Sequence, residues 1–130
     1  MRIFITGASG YIGSQLVSSW LEDKNIEKII ALDIQEPKFL WSKDHPKIHF
    51  IQENLAYVDL NHEFEHRGPV DVVVHAAYFI RTPYRQRARE YQVRSNFQGA
   101  ENIFNFAFKS EVKKLIHFST VAAYGAKSEN

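Results

Sequence analysis

The sequence predicts an α/β protein built on an open, mostly parallel β-sheet. Two observations support this fold class. Short β-branched runs alternate with helical patterns along the 130 residues, and a cluster of glycines separates the first apolar run from the first helical pattern. Parallel strands need long crossover connections, usually helices, and such connections produce this alternation. The pattern contains no internal repeat, no low-complexity tract and no interior linker, so we expect one domain.

Five apolar runs are predicted to be strands. The first run ends at a glycine, and the fourth contains four valines, which is typical of a buried strand. In chain order the predicted strands are Arg2–Thr6, Ile26–Leu32, Lys47–Gln52, Val70–His75 and Val112–Ser119.

Three segments are predicted to be helices. Apolar residues recur at helical spacing in Tyr11–Glu22, and a long helical pattern covers Tyr84–Lys109. Pro83 directly precedes the long helix, where proline suits the first helical turn. Tyr57–His66 is predicted to be a weaker helix. The segment Gln35–Pro46 contains two prolines and is predicted to be a loop with room for one helical turn.

Composition excludes several classes of protein. The chain has 16 Lys and Arg against 15 Asp and Glu, which argues against a dedicated nucleic-acid binder because such proteins carry a basic excess. Cysteine is absent, so disulfides, thiolate metal sites and cysteine nucleophiles are excluded. No apolar run reaches the roughly 18 residues of a membrane span. Met1–Ile5 is too short for an export signal, so we expect a cytoplasmic protein that does not engage a membrane.

The glycine loop after the first strand predicts a dinucleotide-binding site. Gly7, Gly10 and Gly13 lie between a predicted strand and a predicted helix, which is the context that this interpretation requires. Gly7 permits the tight turn, Gly10 lets the backbone approach a pyrophosphate, and Gly13 lets the helix pack close to the sheet. The helix N-terminus then offers unpaired N–H groups to the phosphates. A simple glycine-rich turn is the alternative.

Asp33 follows the second predicted strand, 20 residues beyond Gly13. An acidic residue at that distance hydrogen-bonds the ribose hydroxyls in dinucleotide-binding folds. The carboxylate also repels a 2′-phosphate, and neither Ile34 nor Gln35 supplies a cation to hold one. We therefore predict NAD rather than NADP as the cofactor. The alternative is an aspartate that caps a turn.

Several motifs resemble those of one protein family, and together they extend through most of the chain. They are Gly7–Gly13, Asn54-Leu55, His75-Ala76-Ala77, Asn96–Asn102 and Ser119–Gly125. The chain resembles the extended short-chain dehydrogenase/reductase family, also called the NAD-dependent epimerase/dehydratase family. It departs from the family pattern at Asn54, where the family usually has Asp, and at Ala100 and Ala123, which replace Thr and Val.

The fold expected from the strand pattern, the glycine loop and this resemblance is a Rossmann-type doubly wound parallel sheet. Its strand order is 3-2-1-4-5 over the residues present. The cofactor-binding residues that we expect are Gly7, Gly10, Tyr11, Ile12, Gly13, Asp33, Ile34, Asn54, Leu55, Ala76, Ala77 and Asn96.

The family resemblance implies roles for four of these positions. Asn54 can accept a hydrogen bond from the adenine amino group, as the family's Asp does. The small Ala76 and Ala77 allow the cofactor to lie against the chain. Asn96 is expected to orient a backbone segment or a water near the nicotinamide, or else to be an amide on the helix surface.

Thr120 is the candidate catalytic residue. It matches the family's hydroxyl residue, which can hydrogen-bond the reacting oxygen and hold it for proton transfer. Closure of the fifth strand by a Ser-Thr pair is the structural alternative, and it suits Ser119. The family's Tyr-x-x-x-Lys pair does not occur in this sequence. We therefore expect residues 1–130 to be the N-terminal NAD-binding domain of a longer protein, without its C-terminal substrate domain and inactive alone.

The function implied by the resemblance is that of an NAD-dependent epimerase, dehydratase or reductase. Such an enzyme acts on a sugar or nucleotide-sugar by hydride transfer through bound NAD. The alternative is a non-catalytic NAD-binding module that serves as a sensor or scaffold. No metal is expected, since His62 and His66 are four residues apart but the pattern places no further ligand beside them. His75 is expected to be packed and hydrogen-bonded rather than to act as a base.

The late helix carries two further surface features. Apolar residues lie on more than one side of this helix, which predicts that a second face is buried. By the family resemblance, we expect a homodimer through Tyr84–Lys109. A basic cluster interleaved with tyrosines is interpreted first as a solvated helix face, then as a site for a phosphate-bearing substrate, and last as a nucleic-acid surface. The cluster comprises Arg81, Arg85, Arg87, Arg89 and Arg94.

Overall fold

The structure is a computed structural model that describes residues 1–79 and 86–119. Within these ranges the chain forms an alternating series of strands and helices. The strands are β1 (Arg2–Thr6), β2 (Lys28–Asp33), β3 (Ile48–Gln52), β4 (Val72–His75) and β5 (Lys114–His117). The helices are α1 (Tyr11–Leu21), α2 (Leu60–Phe64) and α3 (Gln86–Lys109).

The five strands form one parallel sheet in the order β3-β2-β1-β4-β5. This arrangement confirms the predicted Rossmann-type sheet and its strand order. The chain builds outward from β1 through β2 to β3, and then crosses back to place β4 on the other side of β1. Open α/β sheets bind ligands at the carboxyl ends of the strands where the order reverses. The fold therefore directs attention to the crevice between the ends of β1 and β4.

The second strand begins two residues later than predicted and ends one residue later. Ile26 lies in the preceding turn, where its N–H donates to the Asp23 carbonyl over 3.2 Å. The pairing of β2 with β1 therefore starts at Lys28. At the other end Asp33 belongs to the strand, because it is in register with Gln52 of β3.

The fourth and fifth strands are shorter than the predicted Val70–His75 and Val112–Ser119. Asp71 is the residue directly before β4, and it contacts Lys113, the residue directly before β5. The contacts of Asp71 lie outside the regular ladder. Its Oδ2 accepts from the Arg2 backbone N–H over 2.7 Å, and its carbonyl accepts from the Lys113 N–H over 2.9 Å. These contacts organise the chain just before β4 and β5 begin.

The second helix is also shorter than the predicted Tyr57–His66. It spans Leu60–Phe64, and Asp59 caps its first turn. The Asp59 Oδ1 accepts from the backbone N–H groups of Asn61 and His62 at 3.0 and 3.2 Å. A side-chain acceptor at this position satisfies N–H groups that lack partners in the helix and so fixes where the helix starts.

The loop between β2 and β3 contains no helical turn, although the sequence left room for one. It is held to the loop after β1 by Trp41, whose Nε1 donates to the Ala8 carbonyl over 3.3 Å. The long helix is described from Gln86, so the predicted first residues Tyr84 and Arg85 lie outside the described residues.

Alternating side chains of the strands pack on the two faces of the sheet. Phe4 and Ile30 face a core that includes Phe106 of α3, whereas Ile5 and Ile29 face a second core beneath α1. Both faces are thus covered by helices, as a doubly wound fold requires. This burial holds the strands in place, and with them the loops that form the crevice.

The long helix α3 has one buried and one exposed apolar face. Ile103, Phe106 and Ala107 are buried against the sheet, while Phe97 and Phe108 are 78% and 86% exposed. The sequence correctly predicted apolar residues on more than one side of this helix. In the described portion of the chain, none of the helices combines the length and apolar character needed to span a membrane.

Candidate functional site

A cleft of about 340 Å³ opens at the carboxyl ends of the strands, beside α3. It lies at the switch in strand order, the position where this kind of sheet binds ligands. Most of the predicted cofactor-binding residues line it. They are Gly7, Gly10, Asp33, Ile34, Asn54, Leu55, Ala76, Ala77 and Asn96.

The remaining predicted residues do not line this cleft. Tyr11 and Ile12 lie in the first turn of α1, and their side chains are 86% and 44% exposed. Gly13 is buried under the same turn. Thr120, the candidate catalytic residue, lies outside the described residues.

The glycine loop packs tightly against the end of β4. Gly7 has a φ of +74°, and a Cβ built there would lie 2.6 Å from the Ala76 carbonyl carbon and the Ala77 nitrogen. A Cβ on Gly13 would lie 2.0 Å from the Gly7 carbonyl oxygen. Only glycine fits either position, because backbone atoms occupy the space of the side chain. These contacts are the tight turn and the close helix packing that the sequence predicted.

Gly10 differs because it lines the cleft and its backbone φ of −71° is one that any residue adopts. A Cβ there would meet only the Gly7 carbonyl oxygen, at 3.3 Å. Gly10 is also the N-cap of α1, and no side chain among the described residues caps that helix end. An uncapped helix N-terminus offers N–H groups and a positive partial charge to an anion. The loop thus fits a phosphate group, with space left where a Cβ would be.

Asp33 connects the glycine loop to the end of β2. Its Oδ2 accepts from the Ser9 N–H and its Oδ1 from the Gln35 N–H, each over 2.9 Å. The Ser9 hydroxyl donates in turn to the Gln35 carbonyl over 2.7 Å. Each carboxylate oxygen can accept a second hydrogen bond. Asp33 therefore organises a turn and can still receive the hydroxyls of a ribose.

The loop after β3 is held against α3 by two polar contacts. Asn54 Oδ1 accepts from the Ala56 N–H over 2.9 Å, and its Nδ2 donates to the Tyr91 hydroxyl over 3.1 Å. At the next residue of the loop, the Leu55 carbonyl accepts from Asn102 Nδ2 over 2.8 Å. Asn54 and Leu55, which the family resemblance assigns to adenine, are thus fixed by side chains of the long helix.

Asn96 holds the loop that follows β4. Its Oδ1 accepts from the Phe79 N–H over 2.7 Å, and its Nδ2 donates to the Phe79 carbonyl over 3.1 Å. Both ends of the amide are used by one residue's backbone. The side chain therefore fixes this wall of the cleft, and its contact with a cofactor stays a prediction.

Ser95 also lines the cleft, although the sequence analysis did not single it out. It is 5% exposed, and its hydroxyl oxygen has no hydrogen-bond partner among the described residues. A buried hydroxyl without a partner costs roughly 1–3 kcal/mol, so a ligand or a water that meets it would be favoured. Its position one helical turn from both Tyr91 and Gly99 is the signal that could have identified it.

Further residues of the cleft were not named as site residues by the sequence analysis, although Ser9 and Gly99 lie within the motifs that it quoted. They are Ser9, Gln35, Glu53, Tyr78, Phe79 and Gly99. The whole described lining contains no Lys or Arg, whereas Asp33 and Glu53 supply two carboxylates. The described cleft is therefore better suited to a ribose than to an additional phosphate beside Asp33.

His75 at the end of β4 is packed and hydrogen-bonded. It is 3% exposed, and its Nδ1 lies 2.7 Å from the Thr6 hydroxyl. Its ring stacks on His117 with 5.0 Å between centroids and meets Phe104 edge-on. Burial, and secondarily the charge of His117, lower the pKa of His75 to about 4. The imidazole is therefore neutral near pH 7, in keeping with a structural residue.

A parallel sheet with a glycine loop at its switch point defines a dinucleotide-binding α/β protein. Residues 3–130 match the model of the NAD dependent epimerase/dehydratase family. The chain belongs to this family, which confirms the resemblance found in the sequence. The predicted cofactor, NAD, is confirmed at the level of the family.

Individual relatives are similar over nearly all of this chain. The UDP-glucose 4-epimerase of Streptococcus mutans is 29% identical over 131 residues, covering 99% of this chain and 38% of that enzyme. The uncharacterized UDP-glucose epimerase YtcB of Bacillus subtilis is 29% identical over 138 residues, covering 98% and 42%. The chain thus spans about two fifths of the length of these relatives.

A solved structure agrees with this assignment. The enzyme WbmH of Bordetella bronchiseptica, solved in complex with NAD+, superposes with a TM-score of 0.79 at 28% identity. The match covers 97% of this chain and 41% of WbmH.

Proposed function

We propose that this chain binds NAD in the cleft between the glycine loop, the end of β2 and α3. It would thereby form the cofactor domain of an epimerase, dehydratase or reductase that acts on a sugar or nucleotide-sugar. The observation that carries the proposal is the convergence of Gly10, Asp33 and Asn54 on one cleft at the switch point of the sheet. These residues are distant in sequence and match three different parts of a dinucleotide.

Three parts of the cofactor have a matching group in the cleft. The N-terminus of α1 at Gly10 suits the pyrophosphate, and Asp33 suits the hydroxyls of the adenosine ribose. Asn54 and Leu55 suit the adenine, and Ser95 offers an unpaired hydroxyl nearby. NAD supplies the capacity to accept and return a hydride when bound, whereas these residues bind and orient it.

The sugar-directed activity is supported by the names of the relatives. The similar proteins of Streptococcus mutans and Bacillus subtilis are both named UDP-glucose epimerases. A second enzyme of Bordetella bronchiseptica, WbmG, was solved with NAD and UDP and is 26% identical to this chain. In the proposed reaction Thr120 would hydrogen-bond the reacting oxygen of the sugar. The prediction that residues 1–130 form one domain of a longer enzyme stays a prediction.

Calorimetric titration of the chain with NAD and NADP tests the cofactor proposal. We expect NAD to bind at least tenfold more tightly, because the Asp33 carboxylate hydrogen-bonds a ribose diol and repels a 2′-phosphate. Asp33→Asn keeps the shape, removes the charge and should narrow this preference. Asp44→Asn, on an exposed loop residue away from the cleft, is the matched control. Equal affinities, or a preference for NADP in the unaltered chain, would refute the assignment.

A further inference from the structure

We propose that Tyr91 is a positioning residue for adenine recognition, which acts by holding the Asn54 amide at the cleft. The inference rests on the proposed function, because it concerns how the cleft recognises the base of the dinucleotide. Its basis is the 3.1 Å hydrogen bond from Asn54 Nδ2 to the Tyr91 hydroxyl, which joins the loop after β3 to α3 across 37 positions of sequence.

Two hydrogen-bond partners orient the Asn54 amide, one at each end. The Ala56 N–H can only donate, so it requires the Asn54 oxygen on its side and fixes which end is Oδ1. The Tyr91 hydroxyl holds the other end, Nδ2, toward α3. Together they leave one acceptor position on Oδ1, and Asn54 lines the cleft. A base that presents an amino group can donate to that position.

Tyr91 also contacts the wall of the cleft formed by the loop after β4. Its ring lies 6.3 Å from the ring of Phe79, centroid to centroid, and the Phe79 backbone is bound on both its N–H and its carbonyl by Asn96. The loop after β4, the helix and the loop after β3 are therefore connected through one chain of contacts. A group positioned before the ligand arrives loses less entropy when it binds.

The substitution of Asp by Asn explains why this chain needs such a residue. A carboxylate at position 54 would present acceptors on both oxygens, whatever its rotation about the last bond. An amide presents one acceptor and two donors, so its usefulness to an amino group depends on how it is held. Tyr91 supplies the second point of attachment that the amide requires.

The experiment compares NAD with nicotinamide hypoxanthine dinucleotide, which carries an oxygen where adenine carries the amino group. On the full chain we expect NAD to bind about fivefold more tightly, the value of one neutral hydrogen bond. Tyr91→Phe should weaken NAD binding severalfold and leave the hypoxanthine analogue unchanged, so that the ratio approaches one. This readout separates positioning from general support of the fold, since a merely structural loss weakens both ligands equally.

Two further variants complete the test. Tyr57→Phe removes a hydroxyl from a tyrosine in the same loop that is 67% exposed, and it should leave the ratio unchanged. Asn54→Ala should lower the ratio by itself, and adding Tyr91→Phe to it should change nothing more, because coupled residues are not additive.

The outcomes are distinct for the two proposals. Equal weakening of both ligands by Tyr91→Phe, or no change in either, would overturn the role of Tyr91 while leaving the cofactor assignment intact. Failure of the unaltered, folded chain to bind NAD at all would overturn the proposed function, and this inference with it.

Discussion

Gly10 is the residue at which the fold and the cleft make different demands. The backbone φ of −71° at Gly10 is accessible to any residue, and an added Cβ would lie 3.3 Å from the Gly7 carbonyl oxygen, so the fold admits a side chain there with a small local adjustment. The proposed cofactor site would not admit a side chain there, because that side chain would compete with a phosphate for the space at the helix end. Gly13 is the opposite case, since its Cβ would collide with backbone.

Substitution of Gly10 by valine should therefore abolish NAD binding without unfolding the chain. We expect affinity to fall more than tenfold, with a loss of stability of only about 1 kcal/mol from the poorer N-cap. Calorimetry measures the first quantity and thermal unfolding by circular dichroism the second. Gly13→Val is the comparison, and it should unfold the chain. A folded Gly10→Val variant with normal affinity would show that the loop does not hold the phosphates.

At the scale of single residues the sequence predicted the groups that belong to motifs. Gly7 and Asp33 were predicted from the spacing of the glycine loop and Asn54 from the family resemblance, and the structure shows that all three line the cleft. Ser95 and Tyr91 were not predicted as part of the site. Helical spacing places both residues on one face of α3, but which face borders the cleft, and the Tyr91 hydrogen bond to a residue 37 positions away, depend on the folded structure.

The long helix α3 presents different chemistry on its two faces. Its inner face packs on the sheet and supplies the side chains that hold Asn54, Leu55 and Phe79. Its outer face carries Phe97 and Phe108, both largely exposed. Exposed apolar groups of this size favour association, and the expected homodimer would cover them.

Replacement of both exposed phenylalanines by lysine, Phe97→Lys with Phe108→Lys, should shift the association equilibrium of the chain toward the monomer. Burying two charged groups in an apolar contact is unfavourable, so light scattering should report a lower mass at the same concentration. Phe39→Lys is the matched control, since Phe39 is 92% exposed but lies in the loop between β2 and β3. A monomeric unaltered chain would contradict the expected association.

At the scale of elements, the number, type and order of strands and helices were predictable, whereas their ends were not. Short apolar, β-branched runs between polar turns indicated the strands, and apolar residues at helical spacing indicated the helices. The ends depend on particular contacts, such as the hydrogen bonds of Asp71 before β4 and β5 and the cap that Asp59 provides for α2. These contacts join segments that the sequence pattern treats separately.

For the molecule as a whole, acid should reduce stability through His75. Its folded-state pKa of about 4 lies below the ordinary value of 6.5, so the unfolded chain binds a proton in the range where the folded chain does not. This contribution to stability is complete above pH 6.5 and is lost as the pH falls toward 4. The total loss is about 3 kcal/mol.

Chemical denaturation between pH 7 and pH 4 measures this effect. His75→Gln should be less stable at pH 7 but should show a shallower decline with acid than the unaltered chain. His66→Gln, at an exposed position, should leave the decline as it is. An unchanged slope in the His75 variant would mean that other groups control the acid response.

The contact between Gly7 and the Ala76–Ala77 peptide has a mechanical consequence. Because no side chain separates the two backbones, we expect the glycine loop and the segment leading to Phe79 to move together. A ligand that immobilises the loop at Gly10 should also slow amide hydrogen exchange at Phe79, although no part of the pyrophosphate need touch it. Binding of the cofactor at one wall of the cleft would then reduce the motion of both walls.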